Sequence, residues 1–141
     1  VAINEFFYRA SLGVDIPDYV ELINLTDNDY DLTGWKINDI TIPGGLLPSG
    51  GFFIIAQLGG FFHDSTGLSL TPGVDLPNSI GVPGFSLSTN DDNIVIYNAE
   101  GLFVDSVHYD IDEGWPVGNE NRGHALELTD PANDNLLLPQ T

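Results

Sequence analysis

The sequence predicts an all-β sandwich, and three observations predict it. Apolar residues recur with period two in short runs such as Tyr19-Val20-Glu21-Leu22-Ile23 and Asn93-Ile94-Val95-Ile96-Tyr97, the spacing of strands with both faces partly covered. Pro, Gly and Asn punctuate the chain about every ten residues, as turns between short strands do. No segment keeps a 3.6-residue period, so no helix is expected.

Taken in order, Val1 to Tyr8 forms a first strand with Asn4 and Glu5 inside it, and Ala10 to Asp18 connects it to the next. Tyr19 to Ile37 reads as strand, acidic turn, strand. Asp27 to Asp31 favour a turn because short polar side chains bond their own backbone. Thr33, Trp35 and Ile37 share a face, and Trp35 is expected in the core. Asp39 to Ile42 stays extended until Pro43-Gly44-Gly45 breaks it. Phe52 to Ala56 is apolar on both parities and is expected to be covered on both sides.

Gln57 to Gly84 reads as one long loop, a length that is uncommon in compact domains and often functional. Its aromatic pair, Phe61 and Phe62, either plugs the end of the sandwich or offers a ligand such as a sugar two exposed rings. Leu76-Pro77-Asn78 is the expected anchor where this loop rejoins a sheet. Phe85 to Ser88 is a short strand, and Asn98-Ala99-Glu100-Gly101 is a hairpin turn closed by glycine. Phe103, Asp105, Val107 and Tyr109 share a parity. The acid among them either meets a polar partner or marks a bulge that resets the register. His124 to Leu128 is the last strand.

The length of 141 residues fits one domain, spanning 1–141, large enough to bury roughly two-thirds of its unfolded surface without covalent staples. There is no cysteine, and no methionine even at the first position, so the domain is expected to be excised from a longer chain. No apolar run approaches a membrane span. The formal net charge is −18, with three bases, Arg9, Lys36 and Arg122. Such a surface repels phosphate backbones and anionic membranes.

Tyr19-Val20-Glu21-Leu22-x-Asn24, a polar turn, then Leu32-x-Gly34-Trp35-x-Ile37 resembles the lamin tail domain. Ile3-Asn4-Glu5-Phe6, Phe52 to Ala56, the hairpin of Asn93–Tyr97 with Gly101–Tyr109, Trp115-Pro116 and Ala125 to Leu128 resemble the rest of that family in order. The resemblance implies an immunoglobulin-like β-sandwich of the bacterial, secreted type, located outside the cell or on its surface. It carries no catalytic motif, so no enzymatic activity is implied. Nuclear members are associated with DNA; the acid load here speaks against nucleic acid as a partner.

Motifs for nucleophilic, phosphate-binding or zinc chemistry are absent, and His63, His108 and His124 are scattered. Glu5 and Glu21 are expected to accept hydrogen bonds or pair with Lys36 or Arg9, rather than act as a hydrolytic pair. Asn24-Leu25-Thr26 matches a glycosylation sequon that is short enough to arise by chance.

Two acidic loops are candidates for calcium. Asp27, Asp29 and Asp31 alternate like the first ligands of an EF-hand loop, but Leu32 and Asn38 occupy positions that such a loop gives to glycine and glutamate. Asp110, Asp112 and Glu113 form the second, near Asn119 and Glu120. The function expected is a non-catalytic binding or adhesion module of a larger bacterial secreted or surface protein, with a protein or glycan ligand. The alternative is an accessory domain that holds substrate or the cell surface for an attached hydrolase or nuclease.

Overall fold

A computed structural model describes residues 1–7, 17–59, 62–63, 66, 68–87, 91–110 and 126–127. In chain order the strands are β1 (Ala2–Phe7), β2 (Tyr19–Ile23), β3 (Tyr30–Asp31), β4 (Lys36–Ile37), β5 (Ile40–Thr41), β6 (Leu46–Leu47), β7 (Phe52–Gln57), β8 (Phe62–His63), β9 (Ser69–Leu70), β10 (Ser79–Val82), β11 (Asp91–Tyr97), β12 (Phe103–Asp110) and β13 (Leu126–Glu127). No helix occurs among the described residues.

A five-stranded sheet runs β10-β7-β2-β1-β13, and a four-stranded sheet runs β12-β11-β4-β5. Two-stranded ribbons, β3-β6 and β8-β9, flank them. The first sheet turns Ile3, Phe6, Val20, Leu22, Phe53 and Ile55 inward, and the second turns Ile37, Ile94, Ile96 and Val107 inward; all belong to one buried core. This is the period-two pattern the sequence displays, with one face of each sheet packed on the other.

The chain crosses between the sheets in the stretch after β2. Here the observed elements differ from the expected pair of strands. Tyr30 and Asp31 are strand rather than turn, Thr33-Gly34 is the turn, and extended pairing resumes only at Lys36. Gly34 has φ +82°, a left-handed conformation that suits glycine and takes the strand's place. Trp35 is 6% exposed and its ring meets Tyr30 edge-on at 5.8 Å. Thr33, by contrast, is exposed. Gly45 lies so close to Phe53 that an added Cβ would stand 2.3 Å from its ring, so the break after Ile42 needs a residue without a side chain.

The corner is tied by Asn24, which is fully buried. Its Nδ2 donates to the carbonyls of Asn28 and Leu47, and its Oδ1 accepts from Thr26 N at 3.0 Å and Thr26 Oγ1 at 2.7 Å. Its own N–H and carbonyl pair with Gly51 and Gly50.

Three further expectations need correction. The stretch between β7 and residue 84 is not one loop: β10 lies within it and pairs parallel with β7. A parallel partner requires a crossover, and residues 58–78 supply it. The anchor at Asn78 is observed, its carbonyl accepting Ile54 N at 2.9 Å. Phe85 to Leu87 is not a strand, yet Phe85 and Leu87 are buried; Leu87 is held by its N–H bond to Asp18 at 2.8 Å. The run Phe52 to Ala56 is not covered on both sides throughout, since Phe52 is exposed on the outer face.

Replacing Trp35 with Ala should cost about 3–5 kcal/mol in chemical denaturation. Asn24→Ala, which takes a donor from the buried Leu47 carbonyl and opens the acidic turn, should cost about 3 kcal/mol, whereas Phe52→Ala should stay within about 0.5 kcal/mol.

Candidate functional site

The outer face of the four-stranded sheet carries a row of directly opposed residues. Phe103 pairs with Tyr97, Tyr97 with Lys36, and Lys36 with Thr41. Opposed residues of adjacent strands share a face. The next positions, Ile96, Ile37 and Ile40, pack on the core, so the row faces solvent. Phe103 is 59% exposed, Tyr97 is half-buried, and Lys36 and Thr41 are exposed.

A bulge sets this arrangement. Ile96 pairs with Asp105 while Tyr97 pairs with Phe103, leaving Val104 as the extra residue. The hairpin turn keeps the strands in that register: Gly101 at φ +80° donates its N–H to Asn98 O at 2.9 Å, and Asn98 Oδ1 accepts from Glu100 N and Leu102 N at 3.0 Å each.

Beside the row lies an open cleft of about 250 Å³ lined by Lys36, Asn38, Asp39, Tyr97 and Gly101. Asn38 sits at φ +53° in the turn between β4 and β5. It exchanges backbone bonding with β11: its N–H donates to Val95 O at 2.8 Å, and its Oδ1 accepts Val95 N at 2.9 Å. What Asn38 offers a ligand is therefore its Nδ2 donor. An aromatic ring and an ammonium on paired strands, with an amide donor and a carboxylate on the tight turn between β4 and β5, can orient a small hydroxylated molecule. They form no nucleophile–base pair.

Other carboxylates serve the fold. Glu5 accepts from Tyr19 Oη, and Glu21 accepts from Asn4 Nδ2 at 2.8 Å, as expected of structural rather than hydrolytic acids. Asp105 accepts Ile3 N at 2.9 Å, linking β12 to β1. Both readings of Asp105 therefore hold: it has a polar partner and lies at a bulge. Burial pushes the Asp18 carboxyl up from 3.8, outweighing the Leu87 N–H that pulls it down. At exposed Asp31 the hydroxyl and N–H of Thr33 hold the carboxyl below 3.8.

The residues singled out from sequence are distributed as follows. Asp29 accepts Ser49 N at 2.8 Å, Asp31 accepts Thr33 N at 2.9 Å, and Asp27 is exposed. Among the described residues no three His, Asp or Glu side chains gather where they could hold a metal, so Asp27, Asp29 and Asp31 are not brought together. Asp110 pairs with Asp91 through its backbone at the end of β12; Asp112 and Glu113 lie outside the described residues. Phe62 meets Tyr19 edge-on at 5.3 Å, and Tyr19 stacks on Phe7 at 5.6 Å, an arrangement that covers the outer face of the larger sheet. Phe61 lies outside the described residues. His108 is half-buried, with Nδ1 2.7 Å from Asn93 Oδ1. Asn24 cannot be glycosylated in this fold, because its amide is buried and fully bonded.

Sequence reasoning missed Lys36, Asn38, Asp39, Tyr97 and Phe103 as a group. The one signal in the sequence was the acid at position 105, whose bulge reading moves Phe103 to the outer face.

Two antiparallel-rich sheets packed face to face, built of short strands and tight turns, define an immunoglobulin-like β-sandwich. Within that class the chain belongs to the lamin tail domain family, whose model matches residues 1–110 and so includes all of β1 to β12. No curated protein matches the chain.

The two shifted acids give opposite pH signatures. The contribution of Asp18 is complete below pH 3.8 and is lost as pH rises through its raised folded value. That of Asp31 is present above pH 3.8 and is lost as pH falls through its lowered value. In urea unfolding from pH 3 to 7, wild type should fall progressively behind Asp18→Asn as pH rises. It should lead Asp31→Asn at neutral pH, with the lead closing toward acid.

Proposed function

We propose that the chain is a non-catalytic binding module, displayed by a larger bacterial protein outside the cell, that holds a ligand on the outer face of its four-stranded sheet. The observation that carries this reading is the division of its polar groups. Glu5, Glu21, Asp18 and Asp105 are bonded into the fold, while Lys36, Asp39, Asn38 and Tyr97 line an open cleft. Membership of an immunoglobulin-like module family agrees with a role in recognition. The net charge of −18 disfavours polyanionic partners, since three bases against twenty-one acids leave little positive charge to release phosphate counterions.

The test uses the isolated domain in three assays. Fluorescence anisotropy with duplex and single-stranded oligonucleotides at low salt should show no binding. Incubation with oligonucleotide, peptide and oligosaccharide substrates should show no turnover above buffer, while the domain co-sediments with bacterial envelope material. Turnover, or salt-sensitive micromolar binding to nucleic acid, would overturn the reading.

A further inference from the structure

We propose that the row Phe103-Tyr97-Lys36-Thr41 and the adjoining cleft form a binding site for a neutral glycan, with one sugar ring seated beside Tyr97. This rests on the binding-module reading and specifies its ligand.

Four features of the face point to that chemistry. Phe103 and Tyr97 are opposed on neighbouring strands, which places their Cβ atoms roughly 5 Å apart. Both side chains leave the same face of the sheet, and the apolar C–H face of a pyranose ring stacks on aromatic rings so placed as other apolar groups do. Around them stand groups suited to hydroxyls: the Lys36 ammonium and Asn38 Nδ2 as donors, the Asp39 carboxylate as acceptor and the Thr41 hydroxyl as either. Opposed donors and acceptors at one rim can hold vicinal hydroxyls, which both donate and accept.

Size is the third feature. The cleft holds about 250 Å³, below the usual range of about 300–1,000 Å³ for sites that take drug-sized ligands. One ring fits it, and further rings of a chain would extend along the row. A protein partner would need about 800 Å² of buried surface per side around an apolar centre. Here the exposed aromatics on this face are flanked at once by Lys36, Asp39 and Thr41. Charge is the fourth feature. A net −18 opposes uronates and phosphate polymers, and Lys36 stands beside Asp39 rather than in a basic cluster, so a neutral chain is the better match.

The site is also preformed. Tyr97, Phe103 and Lys36 are on paired strands, and Asn38 is fixed by two bonds to Val95. The backbone of the site therefore needs no reordering to meet a ligand.

Isothermal titration calorimetry tests the site with neutral hexasaccharides of β-linked glucose, mannose, galactose and N-acetylglucosamine, and with polygalacturonate as the polyanion. At least one neutral hexasaccharide should bind with a Kd of about 1 mM or tighter, and polygalacturonate should not. Tyr97→Ala and Phe103→Ala should each weaken that binding about tenfold while the melting temperature and circular dichroism stay close to wild type. Phe52→Ala, an exposed ring on the other sheet, should leave it unchanged. Failure of all four neutral glycans to bind, or binding that survives both Tyr97→Ala and Phe103→Ala, would overturn the proposal. So would a concentration-dependent dimer abolished by Phe103→Ala in sedimentation velocity, which would assign the face to a second copy. Envelope co-sedimentation that persists in Tyr97→Ala would overturn the glycan site and leave the binding-module reading standing. Turnover of substrate would overturn that broader reading.

Discussion

The amide of Asn24 is the constraint on which the chain's path depends. A fully buried polar side chain is costly unless every atom finds a partner. Asn24 meets that demand by closing the acidic turn locally through Thr26 and Asn28, and by reaching across the chain to the approach to β7 through Leu47. Its backbone adds bonds to Gly50 and Gly51. The end of β2, the acidic turn and the β6–β7 corner are thereby fixed together. This corner starts the crossing from the five-stranded to the four-stranded sheet, and it delivers Leu32 and Trp35 to the core between them. The density of Asp in the crossing follows from the same geometry. Asp29 accepts the Ser49 N–H and Asp31 the Thr33 N–H, donors that no strand partner would otherwise meet.

A second tie closes the opposite edge. β1 shifts register between Ile3 and Glu5, and β12 carries the extra residue Val104. Ile3 N–H, beside the first irregularity, donates to Asp105, beside the second. A carboxylate thus does across the gap between sheets what a ladder bond does within one. The charge is tolerated because it is hydrogen-bonded and lies at the margin of the core.

The parts legible in the sequence were those in which period and burial agree. β2 and β11 alternate along their length, β1 and β12 carry enough apolar residues to read as strands despite their irregularities, and the turn at Asn98 to Gly101 is marked by its glycine. β10 was hidden because Ser79-Ile80-Gly81-Val82 is short, contains glycine and pairs parallel with a strand far away in sequence. Only tertiary pairing makes it a strand. Phe85 and Leu87 show the converse: alternating burial without a ladder, maintained by a side-chain acceptor at Asp18. The stretch Thr33 to Ile37 misled because Trp35 and Ile37 have strand parity, whereas Gly34 turns the backbone before the ladder begins. The candidate cleft was not legible because its residues come from β4, the β4–β5 turn, β11 and the β11–β12 turn. Their proximity is a property of the pairing order and is carried by no local motif.

The edge tie and the candidate cleft have a common origin in the bulge at Val104. Without the extra residue, strict alternation from Asp105 would place Phe103 on the inner face with it. With it, Val104 packs against the core and Asp105 bonds Ile3, while Phe103 turns outward opposite Tyr97. An exposed phenylalanine is therefore a geometric consequence of closing the sandwich with a carboxylate. The ring gains less stability there than a core ring would, since it is 59% exposed. What the fold demands is the bulge and Asp105, and these two together set an aromatic ring outward, opposite Tyr97 on a surface of paired strands.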